Sequence, residues 1–297
     1  MPSRRQIREA VIQFLYCADL EGGAEPSDLK EPFWQFITES DRRALMLATW
    51  KTIHHLNLGR EERHGQFVRR FDEAMAHLRA RPDLEKAAER LDRIAILERD
   101  WSTAYDAIAR IPHDDDDDSL SRRLETAIAS LFSADRHLSA ARASFFETLS
   151  DHPEAVTRLE AICGTIRRLD RISDRMRMIE RPEDFPDQNE LAKIRETRSS
   201  IRDLRDAADH TAGEVLAKKK EIDARLESVI ENFAPERIDP IDRAILRLAT
   251  WEILHNPDAP TPVAINEAIE LAKRFGTTDS GRFVNGVLDR VAKSTVR

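Results

Sequence analysis

Glycine is scarce in this sequence, 9 residues in 297, and only 6% of positions are aromatic. With alanine, leucine, arginine and glutamate abundant, these shortages favour an all-helical (all-α) chain of roughly two ordinary domains. No stretch approaches the roughly 18 consecutive apolar residues needed to cross a membrane. The opening residues, MPSRRQIREAVIQFLYCADL, place Arg and Glu inside the apolar pattern and lack a small-residue cleavage site, which argues against a signal peptide. The two cysteines, Cys17 and Cys163, have no metal-ligand spacing. A disulfide framework or zinc site is therefore not expected, and a reducing cytoplasm is the simplest setting. Excess positive charge is missing too. The net charge of −8 excludes a generic nucleic-acid binder, so any nucleic-acid contact must come from a local basic patch.

What is present divides into three parts. Residues 1–58 begin with a helix. Ser3 and Gln6 form an S-x-x-Q capping box, and Ile7, Val11, Phe14, Leu15 and Ala18 follow at helical spacing. Residues 59–208 have a different texture: prolines at 82, 112, 153, 182 and 186 separate heptad-like runs. Leu124, Ala127, Leu131, Ala134, Leu138, Ala141 and Phe145 alternate by three and four. Leu84, Ala87, Leu91 and Ile94 start a second run, which Glu98 interrupts before Trp101, Tyr105 and Ile108. Leu159, Ile162, Ile166, Leu169 and Met176 form a third, with Ser173 as a gap. This middle part reads as a coiled-coil or helical-bundle insertion. The DDDDD run at 114–118 reads as a solvated loop, with its last Asp or Ser119 capping the next helix. A cation site is the sharper alternative, but contiguous aspartates lack the alternating spacing of a calcium loop.

Residues 209–297 are compact. Two helical stretches lead into INEAIELAKRFGTTDSGRFVNGVL, Ile265 to Leu288. Thr261 and Pro262 open the first helix there, and Gly276 is the expected left-handed stop. Asp279 or Ser280 caps the next helix, whose apolar face is Phe283, Val284, Val287, Leu288 and Val291. Gly286 offers room for a close helix approach. Asn266 and Asn285 read as polar groups that bond facing backbone, with ligand contact as the lesser alternative. LATW occurs twice, within 40–54 and 241–255, which fits either a duplication or two similar amphipathic helices.

These residues carry a resemblance. VAINEAIELAKRFGTTDSGRFVNGVLDRVA resembles the C-terminal signature of the NusB family of bacterial transcription antitermination factors. IDPIDRAILRLATWEIL is similar to the preceding NusB helix, and RRQIREAVIQFLYCADL to the first. The resemblance covers about 3–37 and 212–293 and leaves out the middle. It implies a NusB-like helical domain split by the insertion. It also implies binding of boxA RNA together with NusE, a small-subunit ribosomal protein, within the RNA polymerase antitermination complex, promoting read-through in ribosomal RNA operons. No catalysis and no cofactor are implied.

Arg4, Arg5 and Arg8 agree independently. Cations in a first turn oppose the helix dipole by about 0.3–1 kcal/mol each, so an anionic partner explains them better than helix stability does. Arg8 has an alternative, an ion pair with a nearby carboxylate. Tyr16 matches the first-helix tyrosine of the family and is a candidate for base stacking or for ordinary packing. By family position, Asp279, Arg282 and Phe283 at the last corner also approach RNA, although Phe283 fits the core stripe as well. Two other readings remain: a detached NusB-like module of ribosomal RNA methyltransferase type, and a scaffold acting through the insertion. The chain shows no Gly-rich strand loop for a methyl donor. His54 and His55 are adjacent on a helix, and no nucleophile–base set is visible, so an enzyme is not expected.

Overall fold

The computed structural model describes residues 2–21, 26–112, 119–230 and 237–295. The aspartates at 114–118, and with them the proposed cation site, lie outside these residues. In chain order the helices are α1 Arg4–Leu20, α2 Pro26–Ile37, α3 Glu39–Arg79, α4 Glu85–Ala109, α5 Leu120–Leu149, α6 Pro153–Arg158, α7 Glu160–Glu180, α8 Ala192–Ala217, α9 Lys219–Val229, α10 Pro240–His255, α11 Thr261–Phe275 and α12 Ser280–Thr295. No strand occurs among the described residues, and no helix there is long and apolar enough to cross a membrane.

Two compact units form. The first joins Met1–Thr38 to Ser199–Arg297, and the second is Glu39–Arg198. The sequence reading divides the chain at 58/59 and 208/209; the contacts divide it at 38/39 and 198/199. The early break follows from α3, which runs 41 residues without interruption and buries Trp50, Ile53 and Phe67 within the second unit.

In the first unit, α1 starts as its sequence dictates. The Ser3 side chain accepts from Gln6 N, and Gln6 Oε1 accepts from Ser3 N at 2.8 Å, closing the capping box. Val11, Phe14 and Leu15 then enter a core with Phe33 and Trp34 of α2, Val215 of α8, Leu226 of α9 and Leu246 of α10. Val284, Val287, Leu288 and Val291 complete it from α12. Phe283 does not join them; it is 36% exposed. Asp19, near the end of α1, is tied to α10 through Arg243 Nε at 2.5 Å and Arg247 Nη1 at 2.7 Å. Arg247 also grips Asp223 of α9 with two bonds of 2.8 and 2.9 Å. Burial works to raise the Asp19 carboxyl, but these guanidinium bonds outweigh it and hold Asp19 below the usual carboxylate range.

Three local expectations change in this unit. Gly276 is not left-handed: φ is −93° and ψ −164°. Crowding is what excludes a side chain there, because a Cβ would lie 2.5 Å from Ser280 Oγ and 2.8 Å from Ala272 O. Ser280 cannot give way easily. It is buried, accepts from Thr277 N at 2.8 Å and donates to Asp242 Oδ2 at 2.9 Å. Gly286 has nothing within 4 Å of an added Cβ, so it does not mark a close helix approach. Among the described residues, the Asn266 and Asn285 side chains make no hydrogen bond, and Asn266 is exposed, so neither positions a facing backbone.

The second unit is a bundle in which α4 packs along α5 and α3 along α7, with α5 also meeting α3 and α7. The stripe of α5 is set one residue away from the alanines. Leu124, Ile128, Leu131, Asp135, Leu138, Arg142, Phe145 and Leu149 are buried, while Ala127, Ala134 and Ala141 lie at its margin. The residues that break the sequence pattern meet here. Arg60 of α3, Glu98 and Trp101 of α4, Asp135 and Arg142 of α5 and Ser173 of α7 form one buried polar cluster. Glu98 accepts from Arg60 and, at 2.6 Å, from Arg142 Nη2. Ser173 Oγ accepts from Arg142 Nη1 and donates to Asp135 Oδ1, both at 3.0 Å, and Trp101 Nε1 donates to the same oxygen at 2.9 Å. The Arg60 guanidinium lies 3.5 Å from the centroid of the Trp101 ring. Mutual satisfaction is what lets such groups sit in a core.

Candidate nucleic-acid interface

The first turn of α1 holds Arg4 and Arg5 and no acidic residue. Both arginines are exposed. Arg4 Nη1 donates to the Asp258 carbonyl at 3.2 Å, in the turn between α10 and α11. Arg5 Nε lies 3.5 Å from Glu9 Oε1, one turn along. Glu9 is also paired with Arg274 near the end of α11, so the first helix and the eleventh present a continuous run of cations around one carboxylate. On the far side of Arg274, a Cβ at Gly281 would lie 3.2 Å from Lys273 Cγ, which sets the start of α12 against α11. Asp279 and Arg282 project into solvent there, their side chains 85% and 90% exposed, with a 3.8 Å contact between them. Phe283 stands beside them as a surface ring rather than a core residue.

Arg8 is different. It is buried, donates Nε to Glu252 Oε1 at 2.8 Å, and lies 3.8 Å from Glu267. It is therefore not an RNA-facing cation; of the two sequence readings the ion pair is the one observed. Burial drives the Glu252 carboxyl up, with Arg8 opposing and Glu267 adding to the rise. A cavity of about 220 Å³ opens beside this pair, lined by Arg4, Arg8, Trp251, Glu252, Asn256 and Asp258 among others. The Trp251 indole nitrogen is buried without a hydrogen-bond partner among the described residues. Tyr16 packs partly buried against the core, roughly 18 Å along the axis from Arg4 at 1.5 Å per residue.

The arrangement offers planar cationic donors, an exposed ring, and a cavity beside them. Those are the means by which single-stranded nucleic acid is held, through phosphate contacts and base stacking. Sequence reasoning missed Arg274, Glu9 and Trp251. Lys273 and Arg274 lie in the last turn of α11, and the pairing of Arg274 with Glu9 sets it beside α1.

The NusB family model matches residues 175–293. That match begins inside α7 and does not include α1. The transcription antitermination protein NusB of Pseudothermotoga lettingae is 51% identical over 73 residues, 25% of this chain and 52% of the relative. NusB of Desulfitobacterium hafniense is 47% identical over 87 residues, 29% and 59% of the two chains. NusB of Methylacidiphilum infernorum is 39% identical over 93 residues, 31% and 65%. The chain thus spans little more than half the length of the first of these curated relatives. A solved T. maritima NusB is 36% identical, with 37% of this chain and 80% of that one covered and a TM-score of 0.31. The chain thus contains a NusB family domain that makes up part of its length.

Proposed function

We propose that this chain is an RNA-binding transcription antitermination factor. It binds boxA RNA together with NusE, joins the RNA polymerase antitermination complex, and promotes read-through in ribosomal RNA operons. It acts by binding and not by catalysis. The observation that carries this reading is the pair of exposed arginines, Arg4 and Arg5, in a first turn without acidic residues, where the helix dipole disfavours cations. Kinship with NusB supports the choice of RNA. In this reading Arg4, Arg5 and Arg274 contact phosphates. Arg282 and Phe283 extend the interface, Asp279 accepts from a base edge, and Tyr16 stacks a base after a small movement of its ring. Arg8 serves by holding Glu252 and the cavity wall in place. Asn266 and Asn285, whose side chains make no hydrogen bond among the described residues, are placed to meet RNA or NusE.

The test is equilibrium binding of boxA RNA, with and without NusE, by the parent and by Arg5→Glu and Tyr16→Ala variants. Charge reversal at Arg5 weakens binding and lowers the salt slope by about 0.7 per lost phosphate contact on a single strand. Tyr16→Ala weakens binding without changing the slope. Parent-like RNA binding by Arg5→Glu at matched salt would move the site away from α1.

A further inference from the structure

The second unit contains a feature that the NusB resemblance does not reach. Between α3 and α7 runs a groove of about 420 Å³, lined by His55, Gly59, Arg63, Arg168, Arg171 and Arg175, with Leu56 and Ile172 beside them. None of these four arginines has a carboxylate partner among the described residues. Arg63 Nη1 donates to the Gly59 carbonyl at 2.8 Å. Arg168 Nη2 donates to Gln66 Oε1 at 3.3 Å and Thr165 Oγ1 at 3.1 Å. Arg171 and Arg175 are exposed and make no hydrogen bond or ion pair there.

Other arginines of the unit also lack a carboxylate partner among the described residues, among them Arg69, Arg90 and Arg99, but these four line one concavity. Arg42 is paired with Glu125, Arg81 with Asp83 and Glu154, Arg136 with Glu180, and Arg177 with Asp174. In a chain of net charge −8, leaving four arginines uncompensated around one concavity creates a local positive field. The cause lies in the sequence of α7. Arg168, Arg171 and Arg175 fall at i, i+3 and i+7, on one flank of its buried stripe, while Asp170 and Asp174 fall on the other. Contacts confirm the sides: Arg168 reaches Gln66 of α3, and Asp170 accepts from Ser139 of α5 at 3.2 Å. These three arginines therefore share the α3 side, while Arg167 lies over Phe146 of α5 and Arg177 pairs with Asp174. Arg70 extends the cationic side, donating to the Ala161 carbonyl at 3.0 Å and to Thr165, again without a carboxylate.

We infer that this groove is a second RNA-binding surface, which holds the phosphate backbone of single-stranded RNA without reading its sequence. Arg168 to Arg175 cover roughly 10 Å along α7 at 1.5 Å per residue, a row of cations suited to successive phosphates rather than to one small anion. Guanidinium groups are planar forks that match phosphate oxygens in pairs. Leu56 and Ile172 are the apolar members of the lining, so the groove offers little to the apolar face of a protein helix. The choice of RNA among polyanions rests on the RNA-binding reading proposed above.

The test uses the full chain, a labelled single-stranded RNA containing boxA, and a second of the same composition in scrambled order. Three proteins are compared over a salt series: the parent, the double variant Arg171→Gln/Arg175→Gln, and Arg5→Glu. The double variant removes no hydrogen bond or ion pair among the described residues, and an unchanged circular dichroism melt shows that it folds. Its affinity for both RNAs falls several-fold, and its salt slope drops by about 1.4, from two phosphate contacts at about 0.7 each. Equal loss on both RNAs follows because phosphate contacts carry no sequence information. A double variant that matches the parent in affinity and slope overturns the inference, and Arg5→Glu then tells whether the α1 site stands alone. Loss in the double variant with none in Arg5→Glu supports the groove and refutes the α1 reading. A double variant that binds RNA like the parent but no longer binds poly-glutamate also overturns the inference, because the groove then takes an acidic polypeptide.

Discussion

Arg142 Nη2 donates to Glu98 Oε1 at 2.6 Å, and the two side chains are 1% and 0% exposed. Glu98 also holds Arg60, so one carboxylate stands between two buried guanidinium groups. Removing it leaves both cations without their main counter-charge. Glu98→Ala is therefore expected to destabilise the second unit by about 3–5 kcal/mol, the usual cost of breaking a buried pair from one side. Chemical denaturation followed through Trp101, which stacks under Arg60, measures it. A loss below about 1 kcal/mol would show that water reaches the cluster.

The same cluster gives a pH dependence. Burial raises the Asp135 carboxyl, against the pull of Ser173, Arg142, Trp101 and Arg60. A carboxyl raised in the folded state binds more protons there than in the unfolded chain. Its contribution to stability therefore increases as pH falls through the raised value and levels off below the ordinary carboxylate range. Asp135→Asn removes that component. The difference in unfolding free energy between parent and variant is expected to change with pH in that window and to be flat below it. A pH-independent difference contradicts the assignment.

Two glycines of the C-terminal segment should respond oppositely to alanine. At Gly276 the new Cβ meets Ser280, which is held by Asp242, so Gly276→Ala is expected to cost about 1–3 kcal/mol. At Gly286 the Cβ meets nothing, and the residue lies inside α12, so Gly286→Ala is expected to add about 0.5–1 kcal/mol. Thermal melts of the two variants decide the matter. A stabilised Gly276→Ala would mean that the corner relaxes freely.

Asp19 joins α1 to α10 through Arg243 and Arg247. Its carboxyl is held low, so its contribution is present above the unfolded value of about 3.9 and is lost as pH falls through the folded value. Asp19→Asn is expected to cost about 2 kcal/mol at neutral pH, and less in acid, where the parent has lost the same interaction. Equal costs at neutral and acid pH would assign the loss to packing instead.

The first unit should fold without the second. Its two segments are joined near the break by Trp34 Nε1 to Asp209 Oδ1 at 2.8 Å and Arg205 Nη2 to Glu31 Oε2 at 2.6 Å, and they share one core. Exchanging residues 39–198 for a flexible linker changes loop entropy only slightly. A helical product with a single cooperative melt is expected. A product that binds a hydrophobic dye and melts without cooperativity would show that the unit depends on what was removed.

The site was legible only in part. Arg4 and Arg5 were identifiable because charge at a helix start has a known sign of effect, and the capping box marked that start. Arg8 is only three residues beyond Arg5 in the chain, yet it is buried, because its place on the helix turns it toward Glu252, 244 residues away in sequence. Phe283 went the other way: at the edge of the apolar stripe of α12 it matched core spacing, and the packing left it on the surface. Spacing fixes which side of a helix a residue occupies, and the neighbouring helix decides whether that side is covered.

By itself the sequence determined the helices and their starts, through capping, proline placement and apolar spacing, all of which act within a few residues. It also determined the split between two textures of chain and the shared flank of Arg168, Arg171 and Arg175 on α7, since periodicity assigns faces without reference to a partner. Tertiary structure alone decided what the breaks in those patterns mean. Glu98 and Ser173 interrupt two runs in sequence, and Asp135 and Arg142 sit where alanines seemed the better seam. Each is unfavourable alone in a core, and only helices brought together from four places in the chain let them satisfy one another.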